Sequence, residues 1–150
     1  MKNYSKISIS EEVRIELHDK LGLTGAEVSI NTLPAGTSVP FVHAHKLNEE
    51  IYAILNGEGS VEIDGEKIAI KTGDWLRISP SAKRQFFAAH DKAIKYICIQ
   101  VKADSLIGYT QSDAIRRNLL IQNKNKPIAH NLLSAYFLCS KVLKLFYKIK

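Results

Sequence analysis

The sequence predicts an all-β fold, an antiparallel sandwich or barrel built from short strands. Three observations carry this. Between Glu27 and Val101, runs of strand-forming residues recur about every ten residues, each closed by Gly, Pro, Asn or Asp. Asp64-Gly65 joins two of these runs with the sequence of a type I′ hairpin turn. The length of 150 residues, with 45% hydrophobic side chains, suits a single domain that buries its own core.

Taken in order, the chain opens with an ambiguous segment. Ser10 followed by Glu11 and Glu12 has the form of a helix N-cap with acids in the first turn. Val13, Leu17 and Leu21 recur every four residues and Gly22 supplies a stop. A short N-terminal helix is expected here, although Val13, Ile15 and Leu17 also alternate as they would in a strand. From Glu27 the period is two: Val28 and Ile30 alternate with polar residues until Leu33-Pro34-Ala35-Gly36. Glu50 to Asn56 is the next strand, and Gly57-Glu58-Gly59 is expected to end it. Ser60–Ile63 and Lys67–Lys71 flank the Asp64-Gly65 turn, and Thr72-Gly73-Asp74 turns again. Trp75 to Ser79, Arg84 to Ala89 and Lys95 to Val101 complete the set.

The charge is distributed unevenly. Residues 1–114 carry 13 Lys and Arg against all 15 acids, whereas residues 115–150 carry eight bases and no acid. The main domain is therefore slightly acidic, and no nucleic-acid footprint is expected on it. In the basic stretch, Leu132, Tyr136, Cys139, Leu143 and Phe146 form a helical stripe. Residues 114–150 read as a loosely helical or disordered tail, with contact to an acidic membrane surface as a secondary expectation. Cys98 and Cys139 show no metal or redox spacing and read as buried thiols of a reducing compartment. No secretory leader or bilayer-spanning run is evident, so a cytoplasmic protein is expected.

His43 and His45 are the residues that suggest chemistry. Two apart in a strand, their imidazoles share a face and can converge on one metal ion. Glu49 and Glu50 follow, and strand phase puts Glu50, Tyr52 and Ile54 on one face with Glu49 on the other. A carboxylate completes an N,N,O donor set of the kind that holds iron(II) with open positions.

The run from Gly36 through His43-Ala-His45 and Glu50 to Gly57 resembles the first motif of the cupin superfamily, with Gly57 seven residues beyond Glu50. Gly36 lies one residue further from His43 than the usual pattern. The run Gly73 to Gln85 is similar to the second motif in degraded form. It has one extra residue between Gly73 and Pro80, Ala82 in place of a Gly, and Gln85 in place of the third metal-binding His. The resemblance covers about residues 26–102. It implies a double-stranded β-helix, or jelly-roll, barrel over residues 26–113, preceded by a helix and arm in residues 1–25.

The resemblance also implies a divalent metal ion (iron, manganese, nickel or zinc) held by His43, His45 and Glu50. Gln85 would be a weaker amide ligand or would orient a bound water. Tyr52, Arg77, Phe87 and Tyr96 are candidates to line a ligand cavity, with Trp75, Cys98 and Gln100 beside them. Trp75 and Phe87 would serve equally to fill a small barrel. Arg77 either clamps an anionic group from inside or is a solvated surface charge. Two function classes follow. One is a metal-dependent enzyme of dioxygenase or isomerase type acting on a small organic molecule. The other is a non-catalytic small-ligand-binding or sensor cupin without bound metal. Family resemblance further implies a homodimer.

Overall fold

The computed structural model describes residues 2–109 and 113–115. The chain divides into two units, Met1–Ser112 and Asp113–Lys150, and every element named below belongs to the first. The apolar stripe at 132–146, Cys139 and the rest of the basic stretch from 116 onward lie outside the described residues. No helix among the described residues is long and apolar enough to cross a membrane.

Among the described residues there are seven strands and one helical turn: β1 (Arg14–Glu16), α1 (His18–Leu21), β2 (Glu27–Leu33), β3 (Asn48–Ile63), β4 (Glu66–Lys71), β5 (Trp75–Ile78), β6 (Arg84–Ala88) and β7 (Ile94–Lys102). All pairings are antiparallel, in the order β1-β2-β7-β3-β4, with β5 and β6 also pairing with β3. This is the antiparallel barrel that the strand pattern implied, in the jelly-roll form that the resemblance implied.

The N-terminal segment corrects one expectation. Arg14–Glu16 pairs with Ser29–Asn31 as a strand, and only the last turn of the expected helix forms. The alternation prevails because Ile15 has a buried place on the sheet, at 4% exposure, while Arg14 and Glu16 lie exposed on the opposite face. Gly22 does end the turn, in the left-handed region at φ 66°, where its N–H bonds to the His18 carbonyl.

The second correction concerns β3. Gly57-Glu58-Gly59 does not end the strand, which runs for 16 residues and changes partners partway. Its first half pairs with β7 and β5, and its second half with β4 and β6. A register shift between Ile54 and Asn56 marks the change. Gly57 permits it: φ is 85°, and a Cβ there would lie 1.8 Å from the Ala93 carbonyl oxygen. The glycines are thus sites of close backbone approach within a bent strand, not terminators.

Tyr52, Ile54, Val61, Ile70, Ile78, Phe86, Ile94, Tyr96 and Cys98 form a continuous buried cluster. Each fully buried Val, Ile or Phe contributes about 1.5–3 kcal/mol. Phe86 stacks on Tyr96 with ring centroids 5.2 Å apart and lies 4.4 Å from Tyr52, which fixes the aromatic floor beneath the site described next.

Candidate functional site

The strand period delivers Glu50, Tyr52 and Cys98 to the barrel interior. Glu50 and Tyr52 alternate inward on β3, and Cys98 lies opposite Tyr52 on β7. His43 and His45 reach the same point from the connection between β2 and β3. That connection is not a regular strand: His43 forms a single bridge to Arg84, and the His45 amide bonds to the Pro80 carbonyl. The two imidazoles meet edge to face, with centroids 5.5 Å apart.

Donor atoms of His43, His45 and Glu50 all lie within 4.8 Å of one another. Nε2 of His45 is 3.0 Å from Oε1 of Glu50, and Nε2 of His43 is 3.9 Å from Oε2. Two ligands each about 2.1 Å from an ion, at a right angle, stand about 3 Å apart. The His45–Glu50 pair matches that edge. His43 Nδ1 is buried with no hydrogen-bond partner among the described residues. An unsatisfied buried nitrogen costs about 1–3 kcal/mol, and because it is not the ring nitrogen that faces Glu50, a hydrogen-bonding ligand rather than the ion would relieve it. On these observations the donor set fits a divalent metal.

Glu50 is 2% exposed and is held from several sides. Its Oε2 accepts bonds from Arg84 Nε (2.8 Å), Arg84 Nη2 (2.6 Å) and the Tyr52 hydroxyl (2.6 Å). Its Oε1 contacts His45 and lies 3.5 Å from the Cys98 thiol. Burial alone would raise the Glu50 pKa, but the bonds from Tyr52 and Arg84 outweigh it and hold the carboxyl below its ordinary value. His43 is shifted down, chiefly by burial and then by the charge of Arg84 against the opposing pull of Glu50, so its imidazole is neutral at pH 7 and free to ligate. Burial and then the neighbouring carboxylate push the Cys98 thiol up to about 12, so it stays protonated.

The donor cluster opens into a cavity of about 470 Å³. Its walls include Val13, Leu33, Val39, Phe41, Phe86 and Tyr96, with Arg14, Asn31 and Gln100 supplying polar groups. Tyr52, Tyr96, Cys98 and Gln100 thus lie where strand phase expected them.

Four expected positions are corrected, and all by a single residue of phase. On β5, Leu76 and Ile78 pack inward, so Trp75 and Arg77 face solvent. Arg77 pairs with Glu49 on the outer surface and clamps nothing in the cavity. On β6, Arg84 and Phe86 point in. Gln85 therefore turns away and donates to the Val39 carbonyl at 2.7 Å, which places it outside the donor cluster. Phe87 lines a separate outer cleft with Gly36, Glu58 and His90. A one-residue slip in a strand moves every side chain to the opposite face.

Arg84 is the residue that sequence reasoning missed. The signal was present: discounting the extra residue between Gly73 and Pro80 moves the third-His position from Gln85 to Arg84. Arg14 was missed because β1 was read as a helix, and Asn31 because Val28 and Ile30 marked the opposite face of β2 as the apolar one. Arg14 Nη1 donates to Asn31 Oδ1 at 2.7 Å, and Asn31 donates to Ser29 at 2.9 Å, forming a polar strip along one cavity wall.

Comparison with known proteins agrees with this architecture. A family described as a cupin domain matches residues 29–100. A crystal structure of a cupin protein from Bacteroides fragilis is 62% identical, covering 79% of this chain and all of that one, with a TM-score of 0.77. A Cupin 2 conserved barrel domain protein from Salinispora arenicola shares 18% identity over 67% of this chain and 92% of its own, with a TM-score of 0.59. An uncharacterized protein of Methanocaldococcus jannaschii is 33% identical over 66 residues, or 44% of this chain. The chain spans about half the length of that relative, 52% of it.

Proposed function

The chain belongs to the cupin superfamily, and from that premise we propose that it binds a small organic molecule in the barrel cavity, at a divalent metal ion held by His43, His45 and Glu50. One observation carries this reading: two imidazoles and one carboxylate converge in the wall of a largely apolar cavity. A metal ion at this position would polarise an oxygen of the bound molecule.

The chain's own residues support that arrangement in distinct ways. Arg84 and Tyr52 fix Oε2 of Glu50, so Oε1 is the carboxylate oxygen left to face His45. The partly buried, neutral His43 presents a nitrogen lone pair rather than a charge. Phe86 and Tyr96 provide a rigid apolar floor that excludes water from one end. Cys98 remains a protonated thiol beside the carboxylate and does not compete as a thiolate.

A second reading has one specific observation in its favour. The Arg84 guanidinium already neutralises Glu50, which would let the barrel bind its ligand without metal. Calorimetric titration of the metal-stripped protein with Zn²⁺ or Mn²⁺, in a phosphate-free buffer containing acetate, separates the two. The metal reading expects one ion per chain in the wild type and loss of that uptake in His45→Ala. Unchanged uptake in a His43→Ala, His45→Ala double variant would reject the site.

A further inference from the structure

We propose that Arg84 is a built-in counter-cation to Glu50, so that a divalent metal is bound tightly only together with a small organic anion. This rests on the metal reading given above and specifies the ligand class that the same site takes.

Arg84 is fully buried and Glu50 is 2% exposed. Two guanidinium nitrogens bond to Oε2 of Glu50, and the third, Nη1, donates to the carbonyls of Pro80 (3.2 Å) and Ala82 (2.6 Å). The guanidinium is thus anchored on both sides and does not swing into solvent when an ion arrives. An arginine side chain keeps its charge in a protein, so it cannot relieve the site by losing a proton.

Glu50 is the only acid among the described residues of the cavity wall, and its charge is already matched. The two imidazoles ligate as neutral groups. A divalent ion would therefore leave two positive charges uncompensated in a partly buried cluster, beside the fixed guanidinium. Buried charge is unfavourable unless it is paired. Arg14, also on the cavity wall, adds a further positive group, though its own pairing with Glu16 offsets it at the rim.

An anion bound in the cavity supplies the missing negative charge. The apolar walls at Leu33, Val39, Phe41, Phe86 and Tyr96 suit an anion with an apolar body, and the volume of about 470 Å³ limits it to a small molecule. Charge thus makes metal and ligand binding reciprocal: each strengthens the other by the same factor.

The test is calorimetric titration of the metal-stripped full-length protein with Zn²⁺ in a buffer without carboxylate or phosphate, repeated in saturating benzoate and in saturating benzamide. The benzamide arm holds the apolar body and removes the charge. Zn²⁺ affinity is expected to rise on the order of tenfold or more with benzoate and to stay unchanged with benzamide. Zn²⁺ binding of equal strength under all three conditions would overturn the coupling while leaving the metal site standing. Enhancement by benzamide equal to that by benzoate would likewise overturn it, since charge would not be the cause. No Zn²⁺ binding under any condition would reject the metal reading, and the coupling with it. In Arg84→Met, Zn²⁺ is expected to bind without benzoate at least about tenfold more tightly than in the wild type. If that variant does not fold, the comparison of benzoate with benzamide on the wild type decides the question.

Discussion

Arg84 places two nitrogens on one carboxylate oxygen of Glu50, at 2.8 and 2.6 Å, and both side chains are almost wholly removed from solvent. This pair ties β6 to β3 across the barrel interior and sets which oxygen of Glu50 faces His45. Breaking one side of a buried pair leaves the other charge unmatched, which costs about 3–5 kcal/mol. Glu50→Gln is therefore expected to lose about that much in urea unfolding. Adding Arg84→Met to Glu50→Gln should recover a large part of the loss, because the stranded charge is then removed. A double variant less stable than Glu50→Gln alone would contradict this account of the pair.

The pH dependence of the metal-free protein follows from two groups. His43 has a pKa below its ordinary 6.5 in the folded state, and Glu50 lies below its ordinary 4.5. Each binds a proton more readily when the chain is unfolded, so each favours folding at higher pH. Their contribution is complete above pH 6.5. It starts to fall below that as the unfolded imidazole charges, and falls again below 4.5 until Glu50 is protonated in the fold. Urea midpoints measured from pH 8 down to pH 4 should decline across both windows. A midpoint that rises between pH 7 and 5 would reverse the predicted sign.

Gly57 and Gly65 separate two reasons for a glycine. Both have positive φ, at 85° and 90°. A Cβ at Gly65 meets nothing within 4 Å, whereas at Gly57 it would collide with the Ala93 backbone. Gly65→Ala should cost only the strain of the conformation, about 1 kcal/mol. Gly57→Ala should cost at least about 3 kcal/mol, because backbone must also shift. Equal losses in thermal or urea unfolding would show that β3 does not bend at Gly57 as described.

Most of the barrel was legible in the sequence because alternation, turn residues and burial agree along β4 and β7; on β2 the alternation marked the strand, although the polar Ser29 and Asn31 are its buried residues. Glu50, Tyr52 and Cys98 were placed correctly for the same reason: they lie on long strands whose phase is fixed by several residues. Trp75, Arg77, Gln85 and Phe87 were misplaced because β5 and β6 are only four and five residues long and follow a loop with one extra residue. In strands that short, both faces carry apolar residues, and counting cannot choose between them. Arg84 was obscured for a further reason. A buried arginine is stable only with a buried acid, and Glu50 lies 34 residues away in sequence. The turn of chain from Ser10 to Leu21 supports either period, and the choice falls to β2, whose free edge β1 completes.

Cys98 offers a check on the interior environment. Its thiol is raised from an ordinary 9.0 to about 12, so the folded state favours the protonated form. That contribution is complete below pH 9 and is lost as pH rises toward 12. At pH 8, where the unfolded thiol is partly ionised, native Cys98 should react with a disulfide reagent at least about 100-fold more slowly than in urea-unfolded protein. Reaction at the unfolded rate would mean that the thiol is open to solvent.

The central claim is that His43, His45 and Glu50 form one metal centre inside the barrel. Anomalous diffraction from crystals of the metal-stripped protein soaked in Mn²⁺ and benzoate tests it most directly. The account predicts a single strong peak bounded by the His43 and His45 imidazoles and Oε1 of Glu50, with Arg84 still bonded to Oε2. Manganese bound elsewhere, or no peak in the barrel while the His45–Glu50 contact persists at 3.0 Å, would contradict it.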